Sequence, residues 1–389
     1  MTRRLRWHAL RCRQAAIAEP VLILALSARA LAQAAQAYGC AAHVIDHFGD
    51  EDTLACAASW QRLALDGQGK LNCTKLHAAV RTLRARLPQA PLLWGGGLES
   101  HPALLQALAH EGILLGSDLS GVARLLDLPE LAMALRANGV PLPSTSRAFP
   151  RGQGWLCKEA GGAGGAHVRE VNEEIPTGGG SYFQRRVEGH AHSVTLLATV
   201  AGVQVLGWNR LLRDDFMAGR SFAWQGAITT SDLAPDVQEC IEHAATRIAN
   251  ELGWRGLCGL DFMLPPDGGT PQIIDLNPRP TATFPLHTKA EDALRLHLEA
   301  CRGVVPHSEP KLCSTLRGLR VLYAAHPLCI PNSLDWPNWI SDRPPRGSHI
   351  RAGEPICTVQ ASGSSHAEVL TTLQSRVHEL MERLGSPQQ

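Results

Sequence analysis

Residues 258–281 read CGLDFMLPPDGGTPQIIDLNPRPT, and this stretch decides the fold. Two apolar runs, 257–264 and 272–276, flank Pro265, Pro266, Asp267, Gly268 and Gly269. Extended apolar segments on either side of Pro/Gly punctuation predict an antiparallel hairpin. Folding it brings Asp261 near the level of Asp275, and Asn277, two residues further on, shares the face of Asp275. Carboxylate and amide oxygens suit Mg²⁺, and the Arg279 guanidinium suits phosphate oxygens. Taken singly, each residue has a plainer account: aspartates near hairpins act as turn or cap residues, Pro278 and Pro280 end strands, and an arginine sits in solvent. The combination of acid, turn, acid-x-amide and arginine favours a metal and nucleotide-phosphate site.

Immediately upstream, 235–252 has the pattern of an amphipathic packing helix ended by Gly253. Before it lie predicted strands at 182–188, 193–200 and 203–212. A nucleotide base laid against the first would use backbone groups of Gln184, Arg185, Arg186 and Val187 for its edge. The Gln184 side chain either joins that contact or is an exposed strand residue. Arg210 alternates with Trp208 and Leu212, and leans toward phosphates or sits on a surface edge. His190 and His192, at i,i+2 on a strand edge, read as solvent-facing rather than as a metal pair.

The strand 155–158 carries Lys158 and runs into Gly161, Gly162, Ala163, Gly164 and Gly165. A strand lysine beside a glycine loop can meet α and β phosphates while loop N–H groups close over them. The loop lacks the G-K-[ST] ending of a P-loop, and taken alone it would be a flexible surface turn.

The N-terminal part alternates. Strands at 21–26, 41–45 and 91–94 are interleaved with helices at 28–38 and 76–87, which predicts a parallel sheet covered by helices over 19–116. Gly95, Gly96 and Gly97 follow the last strand, and Glu99 and Ser100 either face a cleft or cap a helix starting near Pro102. Asp127 with Glu130 has the form of a helix-capping box, and 140–143, VPLP, makes an extended linker. The tail, 306–389, is predicted to form a small domain with strands at 316–324 and 355–360, packed Trp336 and Trp339, and a helix at 364–384.

Composition bounds the classes. With 389 residues, 44% hydrophobic and 19% charged, the chain can bury two or three cores. A formal net charge of +1, with no basic and aromatic interleaving, argues against a nucleic-acid partner. No apolar run approaches the roughly 18 residues of a membrane span. Eleven scattered cysteines without C-x-x-C spacing fit buried thiols in a reducing, cytoplasmic setting. Arg3, Arg4, Arg6, Arg11 and Arg13 precede a short apolar run, and Ala30-Leu31-Ala32 imitates a cleavage site; but that run follows Pro20 and leads straight into the first α/β turn. Residues 1–18 are therefore expected to be a flexible extension. A dinucleotide-binding enzyme would need G-x-G-x-x-G after Leu26, where the chain reads SARALAQ.

The order of strand lysine, glycine loop, YFQRRVEG, NR, GLDF and IIDLNPRPT resembles the ATP-grasp superfamily of carboxylate–amine or carboxylate–thiol ligases over about residues 20–305. The resemblance implies an α/β and α+β architecture, an ATP-grasp fold with an N-terminal Rossmann-like preATP-grasp domain (19–116), an ATP-grasp domain (117–305, lid subdomain about 127–185) and a small C-terminal domain. It implies that Lys158 contacts ATP phosphates, that Gly161, Gly162, Gly164 and Gly165 form the lid, that 184–187 is the adenine hinge and that Glu188 meets the ribose. Asp261, Asp275 and Asn277 would hold Mg²⁺, or Mn²⁺ in its place, with Lys158, Arg279 and Arg210 facing the reacting phosphates. Here Asp275 stands where Glu is usual, and His190-Ala191-His192 replaces an acid after the hinge glycine. Asp127-Leu128 stands in place of an Asp-Lys pair, so a second phosphate lysine is not identified.

A narrower similarity rests on DHFGDEDT (46–53), GGGLE (95–99) and DRPP (342–345). It resembles ATP-grasp proteins of tetrahydromethanopterin and methanofuran pathways, including tyramine–glutamate ligases. The implied chemistry is phosphorylation of a carboxylate by ATP and attack of an amine on the acyl phosphate, with small-molecule partners and a homo-oligomer allowed. A non-catalytic nucleotide-binding regulator and a ligase with a thiol acceptor remain the alternatives.

Overall fold

The computed structural model describes residues 18–66, 70–165, 167–171, 180–213, 222–306, 313 and 315–385. The N-terminal extension expected at 1–18 lies outside them up to residue 17. The chain is already extended at Ala18, where the first strand, Ala18–Leu24, begins.

That strand is the middle of a five-stranded sheet ordered Ala57–Arg62, Cys40–Asp46, Ala18–Leu24, Leu92–Trp94, Leu114–Leu115, in which every pairing is parallel. Burial on both faces explains the unbroken apolar run Val21, Leu22, Ile23, Leu24. Helix Arg29–Tyr38 covers one face, and its Ala32 and Ala35 admit the helix Ala290–Cys301 of the next layer into the same core. A short helix, Glu51–Cys56, and the edge strand Ala57–Arg62 were not legible in sequence. AASWQR is largely exposed, so it has no apolar period to read.

The centre of the molecule is an eight-stranded sheet ordered Gln272–Asn277, Gly256–Leu264, His190–Thr199, Gly202–Leu211, Gly226–Thr230, Leu316–Tyr323, Pro355–Gly363, Ile340–Ser341. All its pairings are antiparallel. The two-residue strand period divides its cores. Val194, Leu196 and Ala198 pack under helix Pro235–Glu251 with Ile241, Ala245 and Ile248, while Leu197 joins the core beneath Ala290–Cys301. The C-terminal strands thus extend the central sheet through Gly226–Thr230, and helix His366–Arg383 seals that end with Val369, Leu373 and Leu380. Each of these aliphatic side chains contributes about 2 kcal/mol by burial. Ser365 caps the helix by accepting the Glu368 N–H at 3.2 Å, and the Glu368 carboxylate returns to Ser364 N at 2.8 Å.

A separate four-stranded antiparallel sheet is ordered Thr145–Ser146, Ser181–Arg185, Trp155–Glu159, Val168–Glu170. The capping box expected at Asp127 is not made. The chain enters helix Leu128–Ala137 from a 3₁₀ turn, and the Asp127 carboxylate pairs with Arg147 instead. No described helix is long and apolar enough to cross a membrane.

Candidate active site

Strands Gly256–Leu264 and Gln272–Asn277 form the expected hairpin, with Asp261 opposite Asp275 and Gly259 opposite Asn277. The register shifts just after Asp261. Such a bulge bends a strand and re-aims its side chains. Asp261, Asp275 and Asn277 all reach the wall of one cavity of about 350 Å³. Burial first, and then the neighbouring Asp275, push the Asp261 carboxyl up to about 7, against the pull of Arg279 and Lys158. Two acids at one level and an adjacent amide oxygen form a donor set that fits a hard divalent cation, which would relieve their repulsion. Among the described residues no third acid, histidine or cysteine joins them.

Lys158 lies on strand Trp155–Glu159 and is buried. Its Nζ donates to the Ile274 carbonyl at 2.9 Å, the peptide directly before Asp275. Burial lowers its pKa, while Asp275 and then Asp261 hold it up. Arg279 donates through Nε to Glu99 Oε1 at 2.6 Å, and Glu99 Oε2 accepts the Gly97 N–H at 2.6 Å. The glycine turn of the N-terminal sheet is therefore fastened to the arginine of the hairpin: Glu99 neither caps the helix Pro102–His110 nor lines the cavity, but holds Arg279 from behind.

The same cavity is also walled by Gly164, Gly165 and Gln184, Arg185, Arg186 and Val187, the last four being the residues expected to form the hinge. Gln184 is buried, and its Nε2 has no hydrogen-bond partner. An unpaired buried donor in a cavity wall costs stability unless a ligand takes it, and a nucleobase edge presents suitable acceptors. Gly165 has φ +77°, and a Cβ there would lie 1.7 Å from the Phe222 carbonyl oxygen. Trp224 N donates to the Gly164 carbonyl at 3.0 Å, so the glycine loop is seated on 222–224.

Four predicted residues stand away from this wall. A Cβ on Gly161 would meet Ser100 Cα at 2.6 Å, so this glycine lets the loop base touch the N-terminal domain. Gly162 lies against His167. Glu188 is exposed and pairs with Arg186 at 2.8 Å. Arg210 is exposed, with its guanidinium 3.5 Å from His190 Nδ1.

Other residues complete the wall without having been singled out: His167, Ser193, Trp224, Thr281, Thr283 and Tyr323. His167 stands two residues beyond Gly165, with its Nδ1 buried beside the Ala163 backbone. His287 does not reach the cavity. Its Nε2 donates to Asn209 Oδ1 at 2.8 Å, and Asn209 Nδ2 donates to Ser193 Oγ at 3.1 Å, orienting a wall hydroxyl from behind. His192, expected in solvent, is buried and stacks on Phe262 at 5.5 Å between ring centroids, because its strand lies inside the sheet.

A second cavity, also about 350 Å³, meets the first at Gly164, Trp224, Arg279, Thr281, Ala282 and Tyr323. The segments 46–53, 95–99 and 342–345 converge around it. Phe48, Asp50, Gly95, Gly96 and Asp342 line it, and Asp52 accepts the N–H groups of Asp342 and Arg343 at 2.9 and 3.0 Å.

Residues 127–283 match the family model of the ATP-grasp domain. Among solved structures, the chain is similar to biotin carboxylase from Campylobacter jejuni in its β,γ-ATP complex, with a TM-score of 0.71 and 15% identity, over 90% of this chain and 89% of that one. It is also similar to the biotin carboxylase domain of Hydrogenobacter thermophilus 2-oxoglutarate carboxylase, solved with MgADP, ADP and bicarbonate (TM-score 0.70, 14% identity, 91% and 88% covered). A third is N5-carboxyaminoimidazole ribonucleotide synthetase from Thermotoga maritima (TM-score 0.65, 15% identity, 92% and 98% covered). None of the curated proteins matches the sequence. The fold is thus the ATP-grasp fold, with a preATP-grasp domain ahead of it and a C-terminal region behind.

Proposed function

We propose that the protein is an ATP-dependent ligase that converts a carboxylate to an acyl phosphate and couples it to an amine. The observation that carries this reading is the junction of two cavities at Arg279. One cavity holds Lys158, the two paired acids and the unpartnered Gln184 donor; the other, of similar volume, opens from it at Arg279, and in this reading it takes the non-nucleotide substrate.

ATP is the phosphoryl donor, and Mg²⁺ or Mn²⁺ held by Asp261, Asp275 and Asn277 would neutralise charge on its phosphate oxygens. Lys158 and Arg279 place fixed positive charge where negative charge moves, and the N–H groups of Gly164 and Gly165 close the roof. Seating of the loop on 222–224 excludes water, which protects an acyl phosphate from hydrolysis. No serine, histidine and acid set is required. Gln184 and the backbone of 185–187 would receive the base, and Arg210 and Glu188 would need a shift of their exposed side chains to take part.

The narrower reading, glutamyl ligation in methanofuran-type cofactor assembly, is supported by the resemblance of 46–53, 95–99 and 342–345. Bicarbonate as the activated carboxylate is a second reading, favoured by the bicarbonate-bound carboxylase among the similar folds. A cytoplasmic setting accords with cysteines that are all free among the described residues. The deciding experiment is ADP release across a panel of carboxylates, including bicarbonate, with and without amines and thiols, with product mass. Acyl-amide formation with ADP supports the ligase; nucleotide binding without ADP release under any pairing would leave a non-catalytic regulator.

A further inference from the structure

Around the second cavity the acids are unequal. Asp46 accepts from Ala28 N, Gly49 N and Trp60 Nε1 at 3.2, 3.0 and 2.6 Å, and Asp52 is filled by two backbone N–H groups. Those two are structural. Asp342 takes the Arg29 Nε–H at 2.6 Å and is the one non-glycine residue with positive φ, +53°, among the described residues. A strained backbone that aims a side chain at a cavity is a feature of binding sites. Asp50 is different again. It is 4% exposed and lines the cavity, and its carboxylate has no hydrogen-bond donor among the described residues.

Among the described residues the charges that act most strongly on Asp50 are those of Asp342, Asp52 and Asp46 against that of Arg29. Arg343, whose backbone N–H donates to Asp52 and whose Nε is buried without a partner, is a second cation of the cluster but does not line the cavity. Arg29 is committed to Asp342, and its other arm donates to Gln33 Oε1 at 2.8 Å. The second arginine at the cavity, Arg279, is committed to Glu99. An anionic substrate entering this end would face an acid excess, whereas a cation would find an empty carboxylate. The same cavity has an apolar part to its wall, Leu31, Phe48, Phe284, Val321 and Ile356, beside the polar Ser27, Tyr323 and Thr358.

We propose that this chamber binds a primary amine as its ammonium ion, anchored on Asp50, with an apolar body against Phe48, Leu31 and Ile356. The proposal deepens the ligase reading by placing the amine-bearing substrate and stating its class, and binding at Asp50 stands whether or not turnover occurs. Burial and the surrounding acids hold the empty Asp50 carboxyl up to about 8, and an ammonium ion reverses that cause.

The test is calorimetric binding of a panel of straight-chain and aryl-substituted primary alkylamines, each beside the alcohol of the same skeleton, to the full chain and to Asp50→Asn and Asp50→Glu. MgATP binding is measured on the same three proteins as the check on folding. Amines are expected to bind and alcohols not; Asp50→Asn weakens the amine about 30-fold or more, while Asp50→Glu retains part of the affinity. MgATP affinity stays within about twofold in all three, since Asp50 does not line the nucleotide cavity. Equal binding of amine and alcohol, equal amine affinity in Asp50→Asn, or no amine binding at about 10 mM would overturn the proposal. If the amine binds as expected but MgATP does not, the ligase reading falls and the Asp50 site stands.

Discussion

Arg279 and Glu99, 180 residues apart, are joined by a 2.6 Å ion pair that is almost wholly buried and links the hairpin of the central sheet to the glycine turn of the N-terminal sheet. Removing one partner of such a pair leaves a buried charge uncompensated, which costs on the order of 3 kcal/mol. Glu99→Ala is expected to lower the urea midpoint accordingly. Glu99→Gln, which keeps the shape and one acceptor, should lose about half as much. In Glu99→Ala the freed Arg279 turns toward Asp261 and Asp275, so MgATP affinity falls as well, whereas Glu99→Gln largely keeps it. An unchanged midpoint in Glu99→Ala would remove the pair from any structural role.

Asp275→Ala tests the cation site. The carboxylate is expected to be needed for the metal-dependent part of nucleotide binding and for turnover, with the fold kept. In thermal unfolding, ATP with Mg²⁺ should stabilise the parent protein by about 2–3 kcal/mol at a hundredfold excess over its dissociation constant. The variant should show the same small shift with Mg²⁺ as with a chelator. Normal turnover by the variant would show that Asp275 is no part of a cation site.

Gly164 and Gly165 both have positive φ, +67° and +77°, but their surroundings differ. A Cβ at Gly164 meets nothing within 4 Å, while one at Gly165 collides with the Phe222 carbonyl. Gly164→Ala therefore carries only left-handed backbone strain of about 1 kcal/mol. Gly165→Ala must also unseat the loop from 222–224. The expected outcome is a loss of kcat/KM for ATP about tenfold larger in Gly165→Ala than in Gly164→Ala. Equal losses would mean that the seated loop is not the competent form.

The hairpin, the strand lysine and the glycine loop were legible because each depends on local spacing. Asp261 meets Asp275 through a turn that Pro265 to Gly269 dictates, and a two-residue period puts Asn277 beside Asp275. The second cavity was not legible. Its walls come from Leu31, Phe48, Val321 and Ile356, which only the tertiary fold assembles. The place of the C-terminal strands was hidden for the same reason: pairing of Gly226–Thr230 with Leu316–Tyr323 joins segments with no shared local signal. Asp127 shows the converse, a good local capping pattern overridden by an arginine, Arg147, brought in from the next layer.

His297 supplies a pH dependence that is independent of catalysis. It is fully buried between the central sheet and helix Ala290–Cys301, where its Nδ1 accepts the Leu257 N–H at 3.0 Å. Burial lowers its pKa from 6.5 to about 4. The neutral ring is the folded form, so the unfolded chain binds the proton first as pH falls. The stabilisation is complete above 6.5, is lost progressively down to about 4, and changes no further below that. A shift of this size corresponds to roughly 3 kcal/mol. Asn at this position can offer Oδ1 to the same N–H and does not titrate. Urea unfolding at a series of pH values should therefore show the parent protein losing about 3 kcal/mol relative to His297→Asn across this window. His287, also held near 4, is present in both proteins and cancels from the difference. Parallel pH profiles for the two proteins would mean that burial does not lower the His297 pKa in the fold.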